Sequence, residues 1–240
     1  MKIYIEKMNA TEIWEYALNL EKSKEYEKAA KCLQKASDMG ELLATFTLAV
    51  YYENGIGVKQ DFLKAAELYL MVAECREPLV FAGDTEPLTP QCDAEFALGR
   101  MCEDGILPNS SAETAIDWYT RAINDGCLDI DVYIKMAELY FSGQKVEKDY
   151  DKSANYVIGG FYECPCNYKV FNLASKLADT ETEHKLSIFN ILAECYTKGL
   201  GTDIDIKKAE EFKEKSDALQ LEKEREFIEK QKGLFNNIAF

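Results

Sequence analysis

The amino-acid sequence predicts an all-α fold, a right-handed α–α superhelix (solenoid) of stacked antiparallel helix pairs. Three observations predict it. Four glycines, Gly55, Gly105, Gly143 and Gly199, each end an apolar stretch with helical periodicity. Around each glycine the residue types hold one register: a tiny residue six positions before it (Ala49, Gly99, Ala137, Ala193), a large apolar one seven before (Leu48, Leu98, Met136, Leu192), and Ala or Ser ten after (Ala65, Ala115, Ser153, Ala209). A residue able to cap a helix then opens the second half of every copy, at Asp61, Ser111, Asp149 and Asp205. A register kept through four copies marks a repeat array, in which each two-helix unit buries its apolar face against its neighbours.

Residues 12–40 form a degenerate opening pair, with Trp14, Ala17 and Leu18 on one helix and Tyr26, Ala29, Leu33 and Ala36 on the next, closed by Gly40. This pair is expected to cap the N-terminal end of the array, which otherwise exposes apolar surface. The first full copy spans 42–75. Its Ala44, Leu48, Ala49 and Tyr52 fall on one helical stripe, and Lys64, Ala65, Leu68, Tyr69 and Val72 carry the face of the second helix that returns over it. Residues 77–92, with Pro78, Pro87 and Pro90, read as an insertion that interrupts the stacking. Copies follow at 93–126 and 131–162. Their turns, Gly105-Ile106-Leu107-Pro108 and Gly143-Gln144-Lys145-Val146, depart from the Gly55-Ile56-Gly57-Val58 of the first copy and are expected to be longer or differently shaped. A second insertion, 164–185, has Tyr168, Phe171, Leu173, Ala174 and Leu177 at helical spacing and reads as a further degenerate helix pair. The last copy covers 187–218. From 219 to 240 a charged helix supported by i,i+4 pairs leads into an apolar end, Leu234 to Phe240, expected to fold back as a cap or to mediate a weak homodimer of an otherwise monomeric chain. Together these pieces make one helical-repeat domain, 1–240.

The net charge of −15 is uneven, since 17 acidic and only 5 basic residues lie between Glu41 and Asp131. Such a section repels phosphate backbones and anionic lipid, so neither nucleic acid nor membrane is an expected partner, whereas a basic protein or peptide is. No run reaches the roughly 18–20 apolar residues that span a bilayer. The first residues lack the uninterrupted apolar stretch of a secretory leader, so the cytoplasm is expected, or a host cell reached by leaderless export. Cys32, Cys102 and Cys195 fall on core registers, where a thiol behaves as a small hydrophobe. Cys75 and Cys92 flank the first insertion, and a reducing compartment disfavours their pairing.

Catalysis is poorly provisioned, and no enzyme, cofactor or metal is expected. His184 is the single histidine, and its setting (Thr182-Glu183-His184-Lys185) points to the surface. Gly55-x-Gly57 and Gly199-x-Gly201 lack the lysine and strand context of a phosphate-binding loop, and the repeat accounts for both. Cys164-Pro165-Cys166 offers two thiols that zinc could share with His184 or Cys195, but no second pair follows, so an ordinary loop is expected.

Residues 44–65 read A-x3-LA-x2-Y-x2-G-x-GV-x2-D-x2-KA, with three looser copies after them. This pattern resembles the Sel-one-like repeat family, a relative of the tetratricopeptide repeats. The resemblance implies a non-enzymatic interaction scaffold or adaptor that holds a protein or peptide in a concave groove lined by first helices. The acidic middle adds that the ligand is basic. First-helix positions off the core stripe are the candidate groove residues: Thr47, Tyr51, Glu95, Arg100, Met101, Asp104 and Lys135. A dedicated inhibitor or immunity-type protein, or a bacterial effector that blocks one target through its insertions, is the alternative.

Overall fold

The computed structural model describes residues 7–75, 90–108, 110–127 and 129–238, with side chains as far as 231. Among them are eleven α-helices and no strand: α1 Ala10–Lys22, α2 Tyr26–Asp38, α3 Leu42–Asn54, α4 Phe62–Ala73, α5 Pro90–Glu103, α6 Ala112–Asn124, α7 Ile130–Ser142, α8 Tyr150–Glu163, α9 Tyr168–Leu177, α10 Lys185–Lys198 and α11 Ile206–Ile238. This is the expected class of stacked antiparallel helix pairs. The chain divides into two compact units, 1–128 and 129–240.

In the first unit α1/α2, α3/α4 and α5/α6 form the pairs, and α2 packs on α3 as α4 packs on α5. Consecutive first helices, α1 to α3 and α3 to α5, also touch one another, while consecutive second helices make no comparable contact. The first helices are therefore the inner layer of this unit. Its core runs continuously through Ile13, Leu33, Leu48, Tyr51, Leu68, Tyr69, Leu98 and Met101. In the second unit α7/α8 and α10/α11 are the pairs, and α9 packs on both α8 and α10. Val170, Leu173, Ala174 and Leu177 seat it in a core with Ile134, Val157, Ile188 and Leu192. The second insertion is thus one ten-residue helix rather than the predicted pair, wedged between two repeats.

The repeat register has a direct physical meaning. In the third copy the positions six before and ten after the glycine face each other, and the Ser153 hydroxyl donates to the Ala137 carbonyl at 2.8 Å. In the second copy the small Gly99 leaves room for the Tyr119 ring. Gly55, Gly143 and Gly199 end α3, α7 and α10 in the left-handed conformation, with φ of 69°, 63° and 72°. After the turn, the amides of Asp61, Asp149 and Asp205 donate to the carbonyls of Tyr52, Tyr140 and Tyr196 at 2.9, 3.0 and 2.9 Å. The same aspartates accept from the Lys64, Lys152 and Lys208 amides, capping the second helix. The Gln144-Lys145-Val146 turn is no longer than its counterparts but is differently shaped. Gly57 and Gly201 take φ of 64° and 69° where Lys145 has no positive φ. The Gln144 amide donates to Ser142 Oγ at 3.4 Å, where the Ile56 and Leu200 amides donate to the Tyr51 and Cys195 carbonyls. The Ile106-Leu107-Pro108 turn has the same length but opens α6 through a Ser111–Thr114 capping box.

The N-terminal pair folds as expected, with a capping box between Asn9 and Glu12 at the start of α1. Residues 77–89 of the first insertion lie outside the described residues, whereas 90–92 are already the first turn of α5. At the other end α11 stays helical without a break to Ile238, so the backbone does not turn back before that point. The side chains of the apolar end, 234–240, lie outside the described residues.

Candidate protein-binding surface

A line of solvent-reached side chains runs along α3, α5 and α7. Measured from the anchor glycine, the line takes the positions twelve, nine or eight, five and one before it, a spacing that keeps them on one helical face. On α3 these are Leu43, Phe46, Thr47, Val50 and Asn54, and on α5 they are Asp93, Phe96, Arg100 and Asp104, all partly or fully exposed. Four of the seven predicted residues fall on such a line. Thr47, Arg100 and Asp104 lie on it in the first unit, and Lys135 lies on it on α7 in the second. The Thr47 hydroxyl donates to its own helix, at the Leu43 carbonyl, 2.7 Å. Leu43, Phe46, Val50, Asn54, Asp93 and Phe96 are not among the predicted residues, although the four-three-four spacing of Leu43, Thr47, Val50 and Asn54 is visible in the sequence.

The other three predicted residues are corrections. Tyr51 and Met101 are each 1% exposed and Glu95 is wholly buried. A first helix inside a stack has two buried flanks, one against its own second helix and one against the second helix before it, and a single apolar stripe accounts for only one of them. The position four before each glycine, Tyr51, Met101, Leu139 or Cys195, belongs to the second flank and is buried in every copy. Burial, with Glu21 nearby, pushes the Tyr51 hydroxyl up to about 12.

Three part-buried polar contacts brace α3 and α5. Glu53 accepts from the Tyr69 hydroxyl at 2.6 Å and from Arg100 Nη2 at 3.1 Å, so it ties α3 to both α4 and α5. In the next copy Glu103 accepts from the Tyr119 hydroxyl at 2.8 Å. Burial and the adjacent carboxylate raise both tyrosine hydroxyls far above their ordinary range, which keeps them protonated donors. The signal was present: a Glu two before the glycine occurs with a Tyr fourteen after it in both copies that have either residue. Beneath α5, buried Glu95 pairs with Arg121 Nε, while Arg121 Nη2 donates to the Ala73 carbonyl at the end of α4, 2.7 Å away. Arg121 also lies over the Trp118 ring, 5.1 Å from its centroid. Arg100 lies 5.8 Å over the Phe96 ring, which fixes its guanidinium at the surface. A separate cleft of about 280 Å³ opens between α2, α3 and the 55–58 turn, with Leu48, Tyr52 and Val58 among its apolar walls and Glu27, Lys31 and Gln34 at its edge.

His184 is the residue before α10; its amide donates to Thr182 Oγ1 at 3.2 Å and its ring contacts Glu183 at 3.4 Å. The Cys164 and Cys166 thiols lie 3.6 Å apart, and neither His184 nor Cys195 joins them in a cluster of three ligands among the described residues. No helix among the described residues is long and apolar enough to cross a membrane.

Stacked helix pairs with a solvent-facing row of first-helix side chains define a helical-repeat protein whose working part is a surface. Residues 18–41, 43–75, 92–127, 130–157 and 190–216 match the Sel1 repeat, and the chain belongs to the Sel1 repeat family. Members generally act as protein–protein interaction scaffolds and are generally not enzymes. Among solved structures the chain is similar to a Sel1 repeat protein from Oxalobacter formigenes, with 24% identity and a TM-score of 0.49 over 80% of this chain and 64% of that one. It is also similar to c5321, a protective antigen present in uropathogenic Escherichia coli strains displaying an SLR fold, with 20% identity and a TM-score of 0.50 over 88% of this chain and 46% of that one. The chain therefore spans about half to two thirds of the length of these two structures, and the likeness to the second shows the fold alone. No curated protein matches the chain.

Proposed function

We propose that this protein is a non-enzymatic cytoplasmic adaptor that holds a basic protein segment across the inner layer of its first unit, on α3 and α5. The observation that carries this reading is the composition of the exposed line. Phe46, Val50 and Phe96 offer apolar contact area, Asp93 and Asp104 supply negative charge, and Arg100 is held in a fixed pose by Glu53 and Phe96. Rigid aromatic anchors beside fixed charges are the usual sources of interface energy. The acids between Glu41 and Asp131 attract a Lys- or Arg-rich ligand and repel nucleic acid.

Selection of a random displayed peptide library on the full chain tests it. Enriched peptides are expected to carry an excess of Lys and Arg, and to lose about tenfold in affinity, ~1.4 kcal/mol, on Phe96→Ala or Asp104→Lys, with the helical circular dichroism unchanged. Peptides without basic bias, or peptides that bind both variants as tightly as the parent chain, would sink the proposal.

A further inference from the structure

In the first unit, ligand atoms of Cys92, Asp93 and Cys127 all lie within 4.8 Å of one another. They come from two places in one repeat. Cys92 and Asp93 occupy the first turn of α5, and Cys127 lies just beyond the end of α6, where its amide donates to the Ala122 carbonyl at 2.9 Å. Both sulfurs are in the protein interior, at 1% and 2% residue exposure, and Asp93 is exposed.

We propose that Cys92, Cys127 and Asp93 form a zinc site that staples the start of α5 to the loop closing α6. Zinc prefers thiolate, imidazole and carboxylate ligands in a tetrahedron, with metal–sulfur bonds of about 2.3 Å and hence sulfur–sulfur separations of about 3.7 Å. Closing from 4.8 Å or less to that distance takes a shift of roughly 1 Å in the sulfurs. Two sulfurs and one oxygen suit zinc and disfavour calcium or magnesium, which take six or more oxygens or retained waters. Asp93 opens the site to solvent, so water completes the tetrahedron, and the two thiols release their protons to solvent as the metal binds. The site clamps one repeat, with Asp93 placing its open side on the first unit's exposed line.

The test uses the full chain, kept under a non-thiol reductant, with zinc and cobalt(II) as probes. One zinc per chain is expected, with a sulfur-to-cobalt charge-transfer band and tetrahedral d–d bands in the cobalt form. Cys92→Ala plus Cys127→Ala is expected to abolish those bands, and Cys164→Ser plus Cys166→Ser to leave them intact. Because buried cysteine variants can fail to fold, exposed Asp93→Asn is the second arm, expected to weaken zinc binding at least about tenfold with helical content retained. The site is overturned if the reduced chain takes up no stoichiometric zinc, if Asp93→Asn binds zinc as tightly as the parent, or if the bands follow Cys164 and Cys166. A Cys92–Cys127 disulfide that persists under the reductant would overturn it as well.

Discussion

Glu95 is wholly buried, and the nearest compensating charge is Arg121, itself anchored on the Ala73 carbonyl and the Trp118 ring. Glu95→Ala is therefore expected to cost about 3–5 kcal/mol, because the guanidinium is left facing low-dielectric protein. Arg121→Ala should cost a similar amount, and the double variant far less than the sum. Urea-unfolding midpoints for the three chains check this, and simple additivity would show that the pair is not coupled. The buried tyrosines of the first unit carry a second expectation, about pH. Tyr51 ionises near its ordinary 10 when unfolded and at about 12 when folded, since burial disfavours phenolate. The folded state thus holds its proton longer, the resulting stability is complete below pH 10, and it is lost as pH rises from 10 to 12. Tyr69 and Tyr119, raised by burial and by Glu53 and Glu103, act in the same direction. Far-ultraviolet circular dichroism across this window should show alkaline destabilisation, and Tyr51→Phe should flatten the slope.

At the level of helices and turns, equivalent glycines are not equally indispensable. A Cβ on Gly57 would come within 3.0 Å of the Tyr26 backbone, at a φ of 64°, so neither the turn nor α2 can give way. A Cβ on Gly105 meets nothing within 4 Å and would bear only the left-handed strain, about 1–2 kcal/mol. Gly57→Ala should therefore lower the thermal midpoint by more than twice what Gly105→Ala does; equal shifts would mean that the approach of the turn to α2 carries no stability. The turn chemistry, the caps at Asp61, Ser111, Asp149 and Asp205, and the small-residue contacts were all legible, because each depends on residues within one copy. What was misjudged depends on the neighbouring copy. Tyr51 and Met101 show their apolar character openly, but a pattern for one helix gives its periodicity and not how many neighbours flank it. Glu95 offers no local sign of burial at all: its partner Arg121 is in the same copy but 26 residues away, and Arg121 is in turn anchored on the end of α4 in the copy before. Helix α9 was visible as periodicity, yet its wedging between α8 and α10 follows from packing that no single segment encodes.

Over the whole chain, the charge of −15 makes its own demand on any binding reaction. Acids crowded between Glu41 and Asp131 create a field that reaches a basic ligand before contact, whereas the apolar side chains Phe46, Val50 and Phe96 act only after contact. The two contributions separate by salt. The screening length falls from about 10 Å at 0.1 M ionic strength to about 3 Å at 1 M, which removes steering and leaves close packing nearly untouched. For a Lys-rich peptide selected on this protein, stopped-flow association rates should drop at least about tenfold over that range, while dissociation rates change much less. Asp104→Lys should reduce the salt slope of association, and Phe96→Ala should raise the dissociation rate while leaving that slope alone. If salt instead acts on dissociation, and both substitutions change the same rate constant, the acidic section is not steering the ligand and its charge serves only to keep the molecule dispersed in water.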